Sequence, residues 1–345
     1  MNHLPRKVCI SGPTDRPWVE SKLRANGCEV VLGMAYENFP EHCYDDESLI
    51  KLISDSDVLL VSSRERVPGK VLEQCYRLRG VVKASIGVEN VDISAATDLK
   101  ILVCNSPVPE NFVGVAEATI GLMVSLMKRL KLNEQDLAQG RWKKETNTGD
   151  LISGKTIGIV GLGRVGKAVA KRLQGWDVRV IAYDPYIKRE VFEEVGAEGV
   201  TFAEILRRSD VLSLHVVLTG ETRHMIGLKE LKSMKPTAYL VNTSRGGVIN
   251  QEELSQALGS ATIAGAALDV YEEEPLPLHD PLRSIDTSRL ILTPHSIANS
   301  PAARDAGHRM AVDSILSLLA GKVPSTVLNP EAIAQWEQRF FHPLP

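Results

Sequence analysis

The chain has 345 residues, of which 43% are hydrophobic and 24% are charged, and its formal net charge is −3. This length favours two domains over one. The near-neutral charge argues against a nucleic-acid or membrane-surface binder. The five cysteines are odd in number and include no C-x-x-C pair, so we expect reduced thiols in a cytoplasmic protein, without a disulfide framework or a metal site.

The start of the chain resembles neither a signal peptide nor a membrane anchor. It enters the strand-like run Val8-Cys9-Ile10 without a signal-type apolar core. We expect no apolar stretch to reach the roughly 18 residues that cross a bilayer. The sequence therefore predicts an intracellular soluble protein with no membrane partner.

The N-terminal part of the chain alternates short β-branched runs with amphipathic stretches. That alternation predicts a parallel sheet with crossover helices. The predicted strands cover residues 7–11, 29–32, 58–62, 81–85 and 101–104.

The middle of the chain contains an apolar helical pattern over 115–132, long enough to pass from one lobe to another. The polar stretch 135–149 that follows is expected to be an exposed connection. A second α/β series then begins, with predicted strands at 155–160, 178–183, 211–215, 238–242, 263–268 and 290–292.

The last patterned helix, 302–319, points back toward the first lobe. The sequence therefore predicts an α/β protein made of two Rossmann-like, doubly wound parallel-sheet domains. The smaller domain is discontinuous and comprises 1–108 and 302–345. The larger domain comprises 109–301.

The segment Gly161-Leu162-Gly163-Arg164-Val165-Gly166 lies between a buried-strand pattern and a helical pattern. Gly161 allows a tight turn, Gly163 lets the backbone approach a pyrophosphate, and Gly166 permits close packing of helix on strand. The helix N-terminus supplies N–H groups for the phosphates. Asp184, after the next strand, can accept both ribose hydroxyls and would repel a 2′-phosphate, which predicts NAD over NADP. The alternative is that Asp184 only starts the turn at Pro185.

Three chemically useful side chains follow later apolar runs. The Arg245 guanidinium can bind two carboxylate oxygens at once, which suits a 2-keto acid; a surface ion pair is the alternative. His295 can give a proton to a ketone as hydride arrives, and a neighbouring carboxylate such as Glu274 would raise its pKa. The residues alone do not rank the adjacent glutamates 272, 273 and 274.

The other histidines have simpler interpretations. His215 is expected to line the nucleotide cleft. The histidines at 224, 279 and 308 are expected at the surface or behind the residues that contact the ligands.

Together these motifs resemble the D-isomer-specific 2-hydroxyacid dehydrogenase family over about residues 58–330. Four segments carry the resemblance: 161–166, 242–247, 267–275 and 293–295. It implies that the smaller domain, 1–108 and 302–345, is the substrate (catalytic) domain and that 109–301 is the NAD-binding Rossmann domain. It also implies that Arg245 binds substrate, that His295 is the acid/base with Glu274 as its partner, and that Asp269 binds the nicotinamide carboxamide. The other residues expected at the cofactor are Arg164, Val165, His215 and Thr243, and those expected at the substrate are Arg64, Ile86, Gly87 and Val88.

The chain departs from the family pattern around the substrate. Ser85 replaces the first glycine of a Gly-x-Gly turn whose amides hold the substrate carboxylate, and Ser296-Ile297-Ala298-Asn299 replaces a glycine-rich segment. Ser62 stands where phosphoglycerate dehydrogenases often have an Arg, which disfavours a phosphate-bearing substrate, although Arg64 is a candidate. The tail 331–345 packs either on its own domain or on a neighbouring lobe or subunit.

The resulting hypothesis is an NAD-dependent oxidoreductase that interconverts a small 2-keto acid and a D-2-hydroxy acid, without a nucleic-acid partner. The resemblance also implies a homodimer formed through the cofactor domain. Two alternatives remain: an NAD-binding co-repressor-like protein, and a phosphite-type dehydrogenase with the same three residues. Formate dehydrogenase is disfavoured because that branch pairs its His with Gln. Which 2-hydroxy acid is used, and in which direction, stays open.

Overall fold

A computed structural model describes residues 6–12, 17–34, 44–62, 65–142 and 147–340. The chain divides into two compact units, one from its start to Glu110 and from Pro301 onward, the other covering Asn111–Ser300. Each unit contains one all-parallel sheet. The predicted fold class, two doubly wound parallel-sheet domains with the smaller one discontinuous, is therefore confirmed. The assignment of substrate to one unit and cofactor to the other stays a prediction at this point.

The first unit begins with five strands, all of them predicted from the apolar runs. They are β1 (Arg6–Ile10), β2 (Cys28–Leu32), β3 (Val58–Leu60), β4 (Gly80–Val82) and β5 (Leu102–Cys104). The helices between them are α1 (Pro17–Ala25), α2 (Asp46–Ile53), α3 (Gly69–Leu72) and α4 (Ile93–Asp98). The strand order is β2-β1-β3-β4-β5. Both faces of this sheet are covered by apolar side chains, which is why its strands are continuous rather than alternating apolar runs.

The predicted helix over 115–132 is wrong in its bounds. The structure has α5 (Pro109–Met127) and a separate α6 (Leu130–Ala138). Arg129, between them, has a left-handed backbone with φ 51°. The Met127 carbonyl accepts a hydrogen bond from the Asp150 amide at 2.7 Å instead of continuing the helix.

The expectation that 135–149 is an exposed connection is only partly correct, because α6 runs into it. Asp136 on α6 is buried and accepts a hydrogen bond from Arg141 Nε at 2.6 Å. Trp142 beyond it is 81% exposed. The helix is therefore held by a local ion pair that the polar composition does not indicate.

The expectation that no apolar stretch is long enough to span a membrane is also wrong. Within the part of the chain that the structure describes, the 19-residue helix α5 is long and apolar enough to cross a membrane, by length and composition only. Its residues Ala116 and Met123 are fully buried in the same core as Ile159 and Leu162. Packing inside the second unit accounts for this buried face of the helix.

Within its described residues, the second unit has seven strands in the order β12-β11-β10-β9-β6-β7-β8. Six of them were predicted; β8, only two residues long, was missed. Their bounds are β6 (Thr156–Val160), β7 (Arg179–Tyr183), β8 (Glu198–Gly199), β9 (Val211–Leu214), β10 (Tyr239–Asn242), β11 (Gly265–Leu268) and β12 (Leu290–Leu292). The helices are α7 (Arg164–Arg172), α8 (Arg189–Glu194), α9 (Phe202–Arg208), α10 (Leu228–Ser233) and α11 (Gln251–Gly259).

The chain returns to the first unit through α12 (Pro301–Leu319), followed by α13 (Ile333–Phe340). Trp336 on α13 is fully buried and donates a hydrogen bond from Nε1 to the Arg79 carbonyl at 2.8 Å. Arg339 donates to the Tyr76 carbonyl at 2.8 Å. The described part of the tail therefore packs on its own unit, and residues 341–345 lie outside the described residues.

The four described cysteines are unpaired and buried. Burial raises the pKa of Cys9 and of Cys104 to about 12. Such thiols pack as small apolar groups and are poor nucleophiles. Cys43 lies outside the described residues.

Candidate active site

The glycine turn after β6 has the backbone that its sequence predicts. Gly161 has φ +88°, and an added Cβ would lie 2.7 Å from the His215 carbonyl oxygen. A Cβ on Gly166 would lie 2.1 Å from the Gly161 carbonyl oxygen, so a side chain at either position is excluded. Gly163, the residue before α7, has open space where a Cβ would project. The exposed N-terminus of α7 thus offers free N–H groups to an anion.

Asp184 follows β7 and is fixed by two backbone amides. Its Oδ2 accepts from the Leu162 amide at 2.9 Å and its Oδ1 from the Tyr186 amide at 3.0 Å. The first bond ties the carboxylate to the glycine turn, and the second forms the turn at Pro185. The two interpretations of Asp184, ribose acceptor and turn starter, are therefore compatible.

Arg164, the first residue of α7, stacks on an aromatic ring. Its guanidinium carbon lies 4.8 Å from the ring centroid of Phe112 on α5. This cation–π contact holds an exposed cation beside the free N–H groups of α7. The glycine segment therefore combines helix-terminal donors with a full positive charge, which fits a pyrophosphate.

Two other expected cofactor residues lie at the carboxyl ends of neighbouring strands. His215 follows β9, where its Nε2 is 2.8 Å from Ser213 Oγ and its Nδ1 is buried without a partner among the described residues. Burial lowers the pKa of His215 to about 4, so this ring is neutral at pH 7. Thr243 follows β10, and its hydroxyl lies 2.8 Å from the Thr119 hydroxyl on α5.

Asp269 follows β11 and is buried. Its Oδ1 accepts from Thr293 Oγ1 at 2.6 Å and from the Ser296 amide at 3.1 Å. The carboxylate of one strand end therefore anchors the loop that follows the next strand, β12. None of the described residues bonds to its Oδ2, which fits the carboxamide contact implied by the resemblance.

His295 lies on the anchored loop and pairs with Glu274. His295 Nδ1 is 2.7 Å from Glu274 Oε2, and the backbone of His295 is left-handed with φ 51°. The Glu274 hydrogen bond raises the pKa of His295 against the opposing effect of partial burial. Burial opposes ionisation of Glu274, but the His295 hydrogen bond and charge outweigh it and lower the pKa of this carboxyl. No described residue binds Nε2 of His295, so this nitrogen is available to a ligand.

The structure shows which of the three adjacent glutamates contacts His295, a choice that the residues alone left open. Glu274 Oε1 accepts from the Tyr271 amide at 3.0 Å while its other oxygen binds His295. Glu272 instead pairs with His224, whose Nε2 is 2.6 Å from Glu272 Oε1. Glu273 is exposed. Only Glu274 is thus in contact with His295.

Arg245 lies at the end of β10 in the same unit. Its backbone carbonyl accepts from Asn242 Nδ2 at 2.9 Å, and its Nη1 donates to the Ser244 carbonyl at 2.7 Å. The next residue must be glycine, because a Cβ on Gly246 would lie 1.9 Å from the Tyr271 carbonyl oxygen. The charge of Arg245 acts to lower the pKa of both His295 and Glu274, so it lies within electrostatic range of the pair.

The expected substrate-binding turn after β4 belongs to the first unit. Asn105 Nδ2 donates to the Ile86 carbonyl at 2.9 Å, and the Ser106 amide donates to the Ser85 carbonyl at 3.0 Å. Ser85 does not have a left-handed backbone, so replacing the family's glycine leaves the turn unstrained. The amides of residues 86–88 donate to no residue that the structure describes. Arg64, the remaining candidate for the substrate, lies outside the described residues.

Comparisons with known proteins agree with this arrangement. Residues 120–296 match the family model described as "D-isomer specific 2-hydroxyacid dehydrogenase, NAD binding domain". The chain belongs to this family. It is therefore an NAD-dependent oxidoreductase that acts on the 2-keto/2-hydroxy acid class, and its second unit is the NAD-binding domain.

Similar proteins include two enzymes and one solved structure. The chain is 39% identical to a D-3-phosphoglycerate dehydrogenase of Methanocaldococcus jannaschii, a match over 95% of this chain and 60% of that protein. It is 36% identical to a glyoxylate reductase of Thermofilum pendens, over 89% of this chain and 90% of that protein. The TT0316 protein of Thermus thermophilus superimposes with a TM-score of 0.83 at 29% identity, over 93% of this chain and 99% of that chain. The chain thus spans less than two thirds of the phosphoglycerate dehydrogenase.

Sequence reasoning missed three supporting contacts. These are the anchoring of the His295 loop by Asp269, the stacking of Phe112 on Arg164, and the pairing of His224 with Glu272. Each joins residues from different elements, and no local motif encodes it. Asp269 and Arg164 were themselves predicted at the site, but their partners lie on other elements and do not follow from spacing along the chain.

Proposed function

We propose that this chain reduces a small, unphosphorylated 2-keto acid to the D-2-hydroxy acid, and catalyses the reverse reaction, with His295 as the acid/base. The observation that carries the proposal is the 2.7 Å contact between His295 Nδ1 and Glu274 Oε2. It orients the ring, leaves Nε2 available and stabilises the imidazolium. Such a group can donate a proton to a carbonyl oxygen at neutral pH.

Arg245 would bind the substrate carboxylate. The Arg245 guanidinium is suited to bidentate binding of two carboxylate oxygens. The amides of residues 86–88 belong to the first unit and donate to no described residue, and their contact with substrate stays a prediction of the resemblance. Holding the carboxylate in this way would present the neighbouring carbonyl in one orientation.

The second unit would hold the cofactor through residues with separate roles. The amides at Gly163, Arg164 and Val165 and the Arg164 charge fit the pyrophosphate, Asp184 fits the ribose hydroxyls, and Asp269 fits the carboxamide. His215 and Thr243 would line the same strand ends. When bound, NADH supplies the hydride; His295 supplies the proton to the carbonyl oxygen, and in the reverse direction removes it.

The preference for an unphosphorylated substrate rests on Ser62 and on a buried carboxylate beside it. Glu65 is fully buried, and its Oε2 accepts from the Ser62 amide and from Ser11 Oγ, each at 3.0 Å. Its Oε1 has no partner among the described residues. A carboxylate behind the position where phosphoglycerate dehydrogenases often have an Arg would disfavour a substrate phosphate.

The test is the rate of NADH oxidation with glyoxylate, hydroxypyruvate, pyruvate and 3-phosphohydroxypyruvate. We expect turnover with at least one of the first three and a kcat/KM at least about tenfold lower with the phosphorylated acid. His295→Ala should lower kcat by roughly 10²–10⁴-fold while NADH binding is retained. Absence of turnover with every 2-keto acid, or fast turnover in His295→Ala, would refute the proposal.

Two other predictions remain attached to this proposal: a homodimer formed through the second unit, and a cytoplasmic location. Sedimentation measures the first and fractionation of cells the second. A co-repressor-like protein would bind NAD without turnover. A phosphite-type dehydrogenase would reduce NAD with phosphite, so one assay with phosphite and NAD separates that alternative.

A further inference from the structure

A hydrogen bond joins the two loops that flank the glycine turn. Because β6 lies between β7 and β9 in the sheet, the loops after β7 and β9 lie on either side of the turn at Gly161. Tyr186 in the first loop donates its hydroxyl proton to Glu221 Oε2 in the second. Both side chains are exposed, Tyr186 to 78%, so burial does not explain the pairing.

Both ends of this bridge are held in place locally. The Tyr186 amide donates to Asp184 Oδ1 at 3.0 Å, which fixes the phenol relative to the β7 carboxylate. On the other side, the Thr219 amide donates to Thr222 Oγ1 at 2.8 Å, and that hydroxyl donates to the Val217 carbonyl at 2.6 Å. Glu221 lies within this turn. The bridge therefore connects two preformed turns.

The chemistry of the bridge is that of a neutral donor and an anion. The hydrogen bond to Glu221 raises the pKa of Tyr186, and the charge of Asp184 acts in the same direction. The phenol therefore stays protonated at neutral pH and keeps donating. Asp184 and Glu221 give this side of the site two carboxylates, of which only Asp184 is fixed to the glycine turn.

We propose that the Tyr186–Glu221 bridge is a second determinant of cofactor choice, closing the outer side of the adenosine subsite and adding a carboxylate that repels a 2′-phosphate. The free N–H groups of α7 and the Asp184 carboxylate mark where pyrophosphate and ribose bind. The bridge joins the two loops that flank this turn. The inference concerns binding of the cofactor alone and does not depend on which substrate the enzyme uses.

The experiment measures dissociation constants for NADH and NADPH by titration calorimetry, without substrate, for the wild type and three variants. Glu221→Gln removes the charge, and Tyr186→Phe removes the bridge but keeps the charge. The control, Glu252→Gln, removes an exposed carboxylate on α11 in the same unit. The same titrations with 5′-AMP and adenosine 2′,5′-bisphosphate isolate the adenosine half.

We expect Glu221→Gln to lower the ratio of the NADPH to the NADH dissociation constant by roughly 3- to 10-fold, as for one unit charge near a phosphate in a partly screened site. The change should shrink in 1 M salt, where the screening length falls to about 3 Å. Tyr186→Phe should weaken NADH binding by roughly threefold and change the ratio less. The control should leave both constants unchanged.

Either of two results would overturn the inference. One is a ratio in Glu221→Gln that moves no more than in Glu252→Gln. The other is an equal change in the dissociation constants of 5′-AMP and adenosine 2′,5′-bisphosphate. Such a result would mean that Glu221 affects both ligands alike and does not discriminate against a 2′-phosphate. Both side chains are exposed, so melting temperatures equal to wild type confirm that the variants are folded.

Discussion

Replacing Glu274 with Gln tests whether the carboxylate tunes His295. Both Glu274 oxygens are engaged, one by His295 Nδ1 at 2.7 Å and one by the Tyr271 amide at 3.0 Å. Gln has nearly the same shape but only one acceptor oxygen and no charge. The variant therefore removes the charge that stabilises the imidazolium and leaves one of the two donors without its acceptor.

The interaction energy between the Glu274 carboxylate and the His295 imidazolium depends on their separation and on their exposure to solvent. Two unit charges about 4 Å apart interact by about 4 kcal/mol at an effective dielectric constant of 20 and by about 1 kcal/mol at 80. The side chain of His295 is 50% exposed, so the smaller end of this range applies. Loss of the carboxylate charge should therefore cost the imidazolium about 1 kcal/mol and lower the pKa of His295.

The sign of the pH effect is fixed by the direction of catalysis. Reduction needs protonated His295, so its kcat/KM is constant below the raised pKa and falls as pH rises through it. In Glu274→Gln this alkaline limb should move to lower pH. Oxidation needs neutral His295, so its acid limb should move in the same direction.

The assay is the pH profile of kcat/KM in both directions, with a histidine NMR titration of the free protein. Glu273→Gln is the matched control, because that side chain is exposed and has no contact with His295. A limb that stays in place in Glu274→Gln, or moves to higher pH, would refute the tuning of His295 by Glu274. A loss of activity without any shift of the pH profile would mean that Glu274 only orients the His295 ring.

Three further substitutions have expected outcomes. Arg245→Lys should raise KM for the 2-keto acid by roughly 10- to 100-fold through loss of bidentate binding, with the NADH dissociation constant from calorimetry unchanged. Gly161→Ala should weaken NADH binding at least about tenfold, because its φ is +88° and the new Cβ would lie 2.7 Å from the His215 carbonyl oxygen. Trp336→Ala should lower the free energy of unfolding by about 3–5 kcal/mol in denaturant titrations, because the ring is fully buried and bonds to Arg79. A KM unchanged in the first, NADH binding unchanged in the second, or a loss under about 1 kcal/mol in the third would contradict these interpretations.

The strands were predictable because buried parallel strands are continuous apolar runs bounded by polar turns. All five strands of the first sheet and six of the second correspond to such runs. The two-residue β8 carries no run of this kind. The break between α5 and α6 was not predictable either, because it depends on the contact between Met127 and Asp150, which lie far apart in the chain.

At the candidate site, residue types and strand ends were predictable, but of the side-chain partners only the pairing of His295 with Glu274 was expected. His295 and Glu274 were expected to pair, and the structure brings them to 2.7 Å. Glu272 was indistinguishable from its neighbours until the structure paired it with His224. Side-chain direction within a loop depends on backbone conformation, such as the left-handed residue at His295, which spacing along the chain does not specify.

The 2.7 Å pair of His295 and Glu274 is positioned from a single strand end. Glu274 lies on the loop after β11, where its Oε1 is held by the Tyr271 amide. His295 lies on the loop after β12, which is anchored by Asp269, also at the end of β11. The Tyr271 hydroxyl adds a bond to the Thr293 carbonyl at 2.8 Å. Both partners are thus positioned by hydrogen bonds to residues that follow β11, and all of these residues belong to the second unit. The contact between His295 and Glu274 therefore forms without substrate. The raised pKa of His295 is a property of the free protein.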